Sequence, residues 1–492
     1  MLFYNEDWLH HIWTRHEAGI EVTEETLKDY VSVFKGSQIT DFIMNVNATI
    51  STSESKVFDT YADKYLVKEE AGEPVDYSGT FAETAYKVLR EKKLDIYKVW
   101  IDEVKKMGIN PWISIRMNDC HGSYLKTDIR KSSFITNHPE YHIAAHRERV
   151  GYFDQCLDFS HEEVRNTLLA YIDEQLGRYD VYGIEFDFMR ESFFVQFGKE
   201  HIGIPIMDKF MKEVFAVVKK YEDKYGHPIK RSMILSTEPN LTLERGMDIF
   251  GFIDELDYII IIPRWETVDT DMPIELWKRL LRGTNVKLAC GQQLLFKPYR
   301  GYKPVITTVE MAYGQAAANL SRGCDLVYLY NYMDLAKYEG ELGPWEYEAC
   351  IRNDANRPGI FKNIGELDTL MKQERSHVVT YSDFCRYDIP DCSVLPITYT
   401  GGYTEFEQIK IPVGKIPDGA KVNLILGICQ DDEITPEDIK VYVNATESEF
   451  IEKTKLNERV YENDAYVFTV GGELYGIMYA EVKITKSVAW SM

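Results

Sequence analysis

Apolar and polar positions along the first three quarters of the chain follow two periods in turn. Short runs such as Tyr258-Ile-Ile-Ile-Ile262 are apolar throughout, as strands covered on both faces are. Longer stretches with apolar residues at helical spacing separate them. Strands are predicted at 2–5, 40–47, 111–117, 181–189, 231–237, 257–262, 286–290 and 325–331. Helices are predicted at 23–34, 95–107, 161–178, 205–225, 241–250, 274–283 and 307–322. Local signals support these bounds: Thr23 and Glu25 lie near the first helix start, Gly108 stops the second, and Ser160 with Glu163 reads as a capping box for the third. Alternation of this length demands a parallel sheet, and eight units of this size fit a closed (β/α)8 barrel over residues 1–377. Polar insertions are expected near 50–92, with a short helix at 81–90, and near 120–158.

Beyond residue 378 the period shortens. Runs at 393–399, 406–411, 422–429, 439–443, 465–470 and 477–484 recur at roughly ten-residue spacing between Gly, Pro, Asp and Asn. Residues 378–492 therefore read as an all-β sandwich, expected to brace the barrel.

Composition narrows the partners. A chain of 492 residues with 45% hydrophobic and 27% charged residues buries a large core unaided. A net charge of −23 argues against nucleic acid and anionic membranes, which need Lys and Arg clusters. No run approaches eighteen apolar residues and no basic-then-apolar leader is seen, so a cytoplasmic protein is expected, with homo-oligomerisation left open. The eight cysteines include no C-x-x-C pair, which suits reduced thiols better than a disulfide framework or a zinc site. No Gly-rich nucleotide loop and no G-x-S-x-G elbow is present. His142 and His146 could share a helical face but lack a third ligand, so neither metal nor cofactor is expected. The 13% aromatic share, with 33 Tyr, is high; aromatics suit sugar or base stacking, and most are expected in the core.

The chemistry gathers at strand ends. In 181–189 side chains alternate, placing Tyr182, Ile184, Phe186 and Phe188 on one face and Gly183, Glu185, Asp187 and Met189 on the other. Two carboxylates in a buried strand need compensation or a function. Other polar groups fall at or just past their strand ends: Asn45 and Asn47, then Arg116, Asn118, Asp119 and His121, then Arg190. Glu238, the trio Arg264, Trp265 and Glu266, then Gln292, Tyr330 and Asn331 continue the ring. A barrel of this kind works at that end.

Carboxylates flanking a pocket lined by amides, Arg and Tyr are what glycoside hydrolysis uses. Asp187 and Glu238, on adjacent strands about 5 Å apart, form the natural pair, and that nearness favours a retaining mechanism with Asp187 as nucleophile and Glu238 as acid/base. Glu266 is the rival acid. Glu185 lies one strand repeat deeper, where it is expected to pair with Arg116 and support Asp187.

Arg116-Met-Asn-Asp-Cys-His121 and Gly183-Ile-Glu-Phe-Asp-Phe-Met-Arg190 resemble the broad group of glycosyl-hydrolase-like (β/α)8 proteins of the family 10 type. The resemblance implies the barrel and the broad class. A Gly-Ile-x-x-Asp strand is also similar to sugar-cleaving barrels whose fourth strand supplies an essential Asp. The D-x-x-D-x-D-x-E form of chitinase-like barrels is lacking, because Met189 follows Phe188 and the next acid is Glu191. The expected function is hydrolysis of a small glycoside or oligosaccharide. The alternatives are a non-catalytic carbohydrate-binding protein on a degenerate barrel, and a metal-dependent sugar lyase or isomerase.

Overall fold

A computed structural model of the protein describes residues 1–17, 19–71, 77–121, 130–143, 151–263, 270–296, 305–332, 357–379, 407–428, 434–455, 464–472, 474 and 476–484. Eight strands close into a parallel barrel in chain order: β1 (Leu2–Asp7), β2 (Ile39–Asn45), β3 (Asn110–Arg116), β4 (Gly183–Asp187), β5 (Lys230–Ser236), β6 (Tyr258–Ile262), β7 (Lys287–Gln293) and β8 (Leu326–Tyr330). All eight lie where the apolar runs predict them, and β8 pairs back onto β1 in parallel.

Alternation of faces explains the two cores. Outward-facing residues such as Tyr4, Phe42, Ile113, Ile184 and Leu235 pack against the helices. Inward-facing Phe3, Ile43, Trp112, Ile234, Tyr258, Ile260, Ala289 and Tyr328 fill the barrel. Trp112 lies across the floor at the level of Gly183. A Cβ at Gly183 would stand 2.2 Å from the Trp112 ring, so only glycine fits there.

Helix Ile96–Lys106 shows how sequence sets a helix. The Asp95 side chain accepts the Lys98 amide, and Ile96, Tyr97, Trp100, Ile101 and Val104 are buried at helical spacing. Each large apolar side chain so buried contributes about 1.5–3 kcal/mol. Just beyond, Gly108 turns the chain with φ +76°. Thr23 caps helix Glu24–Ser32, in a reciprocal box with Thr26. The third expected cap is different: the N-cap of helix Glu162–Arg178 is His161 and makes no side-chain cap bond. Ser160 is held instead by its amide on the Asp158 carboxylate, which competes for the position.

The insertions have structure of their own. The first carries helices Tyr61–Ala71 and Tyr77–Tyr86, the latter running into a π-helical turn at Lys87–Glu91. The second carries the short helix Ser133–Asn137 and two 3-10 turns. Helix Trp8–Glu17 directly after β1 was not legible in the pattern.

The C-terminal strands form two antiparallel sheets. One joins Glu407–Pro412, Ile477–Ile484, Ile439–Val443 and Thr446–Glu447, and the other joins Asn423–Ile428, Asp464–Thr469 and Phe450–Lys455. Ile411, Val441, Tyr466, Phe468 and Met478 share the core between them. The run at 393–399 lies outside the described residues. This β-sandwich touches the barrel through the Lys410–Asp271 ion pair at 2.6 Å and the Lys415 amide on Ser321 Oγ at 3.0 Å.

Candidate active site

The inward faces of β1 to β4 change character toward their C-terminal ends. Ile43 and Trp112 give way to Asn45, Ser114, Arg116, Glu185 and Asp187, all buried. Strand register fixes their levels: Ser114 pairs with Glu185 and Arg116 with Asp187. Asp187 and Arg116 thus form one layer, with Glu185 and Ser114 directly below.

Glu185 is fully buried, with Oε1 accepting the Tyr328 hydroxyl at 2.8 Å and Oε2 near Ser232 Oγ at 3.5 Å. Burial, aided by the charge of Asp187, raises its carboxyl to about 8. The expected Glu185–Arg116 pair is not formed. Arg116 lies one layer higher and binds Asp7 Oδ2 at 2.7 Å, with Asp119 Oδ2 at 3.6 Å. Asp7 was missed because the apolar run of β1 ends at Asn5, although the strand continues and Phe3, Asn5 and Asp7 share a face.

Asp187 is also fully buried. Its Oδ1 accepts the amides of Met189 and Arg190, both at 3.0 Å, so the chain turns around the carboxylate as it leaves β4. Its Oδ2 accepts the Tyr330 hydroxyl at 3.2 Å. Burial raises its pKa, against the opposing charges of Arg116 and Arg190. The result is a carboxyl that holds a proton more readily than an ordinary Asp.

A second group adjoins this one. Asp119 Oδ1 accepts both the amide of His121, at 2.8 Å, and its ring Nδ1, at 2.5 Å. Arg190 Nη2 donates to His121 Nε2 at 2.7 Å. These partners assign the neutral tautomer with the proton on Nδ1. Burial and the neighbouring Arg190 lower the His121 pKa against the pull of Asp119. Despite its own burial, Asp119 is held far below the usual carboxylate range by His121, Arg116 and Arg190.

The other expected site residues differ in where the fold puts them. Asn45 exchanges reciprocal amide bonds with Asn5, both at 3.3 Å, and the Asn331 amide reaches Asn5 Oδ1 at 3.3 Å. Asn331 holds φ +48° at the tip of β8, a strained conformation of the sort found at functional turns. Asn47 and Asn118 are braces rather than lining groups. Asn47 bonds the Arg116 backbone in both directions at 3.0 Å, and Asn118 does the same for Leu157, at 2.9 and 3.1 Å. Gln292 corrects the sequence reading: it points outward and donates to the Ala312 carbonyl at 3.0 Å. Its neighbour Gln293 shares the inward parity of Ala289 and Gly291 and pairs in register with Tyr330.

Glu238 is half-buried and is the N-cap residue of helix Pro239–Glu244. Asp187 pairs with Ile234, so Glu238 stands four residues further toward the mouth, about 13 Å if the strand continued. The two are not level, as adjacent strands alone suggested. Arg264, Trp265, Glu266 and His146 lie outside the described residues. His142 is engaged through Nε2 with the Ile135 carbonyl at 2.9 Å. Among the described residues, no group of three or more His, Cys, Asp or Glu is arranged to hold a metal ion, and no helix is long and apolar enough to cross a membrane.

No protein-family model and no curated protein matches the sequence. Solved structures align with it at low identity. An α-L-fucosidase GH29 from Bacteroides thetaiotaomicron is 12% identical over 99% of this chain and 94% of that one, with TM-score 0.38. A glycoside hydrolase family 18 N-acetylglucosaminidase from Paenibacillus barengoltzii is 9% identical over 75% of this chain and 98% of its own, with TM-score 0.37. The PgaB glycoside hydrolase domain from Bordetella bronchiseptica is 8% identical over 67% and 93%, with TM-score 0.42. The family 10-type grouping finds no support among them, and likenesses of this size transfer neither residue roles nor substrate to this chain.

Proposed function

We propose that the chain is a glycoside hydrolase acting on a small glycoside or oligosaccharide, with Asp187 and Glu238 as its carboxyl pair. The observation that carries this reading is Asp187: a buried carboxyl of raised pKa at the tip of β4, level with Arg116 and hydrogen-bonded by Tyr330. A carboxyl with that environment takes up a proton more readily than an ordinary Asp, as catalysis requires. The strand ends at Ser236 and the chain turns into helix Pro239–Glu244, so Glu238 stands nearer the mouth than Asp187 by less than the extended length. The pair is taken to have the wider separation of inverting enzymes, about 6.5–9.5 Å, rather than the ~5 Å of retaining ones. On this reading Asp187 is the base that takes a proton from the attacking water, and Glu238 is the acid that protonates the departing oxygen. Arg116 and Arg190 temper the Asp187 pKa, and the Asp119–His121 pair holds Arg190 in place.

Proton NMR of the first product formed from an aryl glycoside checks the pairing. Inversion at the anomeric carbon is expected, and retention would contradict the wide arrangement. Glu238→Gln is expected to lower kcat about 10²–10⁴-fold on poor leaving groups and far less on dinitrophenyl glycosides, which need no proton. Equal loss on both would remove Glu238 from the acid role.

A second reading rests on a different observation. Asp187 accepts three hydrogen bonds and has no exposed surface, which also suits a structural carboxylate in a carbohydrate-binding barrel. Such a protein would bind sugars and cleave none.

A further inference from the structure

Cys120 stands between Asp119 and His121, in the loop that follows β3. Cys156 belongs to the distant segment that ends the second insertion. Asn118 stitches the two segments together: its amide accepts the Leu157 N–H at 2.9 Å and donates to the Leu157 carbonyl at 3.1 Å and to the Phe193 carbonyl at 2.6 Å. Cys120 lies two residues after this clamp and Cys156 one residue before it. Both are buried in one small cluster with Ile143, Phe153 and Phe193. Within it each thiol is near enough to the other to influence its ionisation.

The clamp holds the two segments that carry these cysteines against each other, the approach that a disulfide needs before it can form. The chain around them is held by other bonds, with the Ile143 amide on the Cys156 carbonyl and the Cys156 amide on the Phe153 carbonyl, both at 2.9 Å. We propose that Cys120 and Cys156 are a site of reversible thiol–disulfide exchange with low-molecular-weight disulfides, closing an internal bond beside the Asp119–His121 pair. The Cys120 thiolate attacks one sulfur of the small disulfide, whose S–S bond breaks and expels one thiol. The Cys156 thiolate then attacks Cys120 in the mixed disulfide and expels the second thiol. Two cysteine thiols are oxidised and one small disulfide is reduced to two thiols.

Burial pushes the Cys120 thiol up, as do Cys156 and the nearby Glu191 and Asp119. The dithiol is accordingly slow to react. A closed bond about 2.05 Å long would draw Cys120 toward Cys156. Asp119 and His121, its immediate neighbours, would move with it.

The test uses the full chain incubated with oxidised glutathione, blocked with a thiol alkylating reagent, and mapped by mass spectrometry without reduction. The expected product is a cross-linked pair of peptides containing Cys120 and Cys156, lost on treatment with dithiothreitol. The Cys156→Ser variant should give glutathione attached at Cys120 in its place. Alkylated, free thiols at both positions of the unmutated chain, or glutathione adducts without the internal bond, would overturn the proposal. Cys290 and Cys324 are resolved separately in the same map.

Discussion

Glu185 and Asp187 are two residues apart on the same face of β4, yet their surroundings give them different work. Glu185 accepts a hydroxyl from Tyr328 and feels the like charge of Asp187, whereas Asp187 has the opposite charges of Arg116 and Arg190 acting on it. The raised pKa of Glu185 links stability to pH. Between its ordinary value of 4.5 and about 8 the folded protein keeps a proton that the unfolded chain releases. Unfolding therefore releases a proton in that window, and stability falls as pH rises, by up to about 1.4 kcal/mol per pH unit. Glu185→Gln removes the titration. Denaturant unfolding at pH 5 and pH 7.5 should show wild type losing stability across the interval relative to the variant; parallel losses would mean that Glu185 is ionised throughout. The sequence revealed that one face of β4 was acidic and that Asp187 lay nearer the mouth. It could not reveal which cation met which acid, because that depends on barrel stagger. The stagger lifts Arg116 to the level of Asp187 and within reach of Asp7, a partner from the far end of the chain.

At the scale of elements, the strands were legible because each is an apolar run closed by polar residues, and parallel strands covered on both faces must read that way. Gln292 and Gln293 mark the limit of that reading. Both end β7, and only register with β8 decides which one turns inward. Helix Trp8–Glu17 escaped because it follows β1 without any turn residue between them. Gly183 gives a direct test of the layer beneath the site. Gly183→Ala sets a methyl group within 2.2 Å of the Trp112 ring, and Trp112 Nε1 is tied to Asp41 Oδ1 at 2.8 Å. Overpacking of this kind costs about 1–3 kcal/mol. Thermal unfolding should register the loss, and an unchanged melting temperature would show that the indole can shift.

For the whole molecule, the closed barrel and the C-terminal sandwich have separate cores and meet over helix Val309–Ser321. Gly414, at φ +65°, comes so near that helix that a Cβ there would lie 2.8 Å from the Ala317 carbonyl. This contact and the Lys410–Asp271 pair join the sandwich to the barrel. The polar groups of the candidate site gather at the C-terminal ends of β1 to β4 and β8, where barrels of this architecture do their chemistry.

The central claim is that this end of the barrel cleaves glycosides through Asp187. The most direct measurement compares kcat/KM of wild type and Asp187→Asn on a glycoside that the wild type hydrolyses, with circular dichroism confirming equal folding. The account predicts a loss of at least about 10²-fold, the lower bound for removing a catalytic proton carrier. Full activity in a folded Asp187→Asn protein would contradict it.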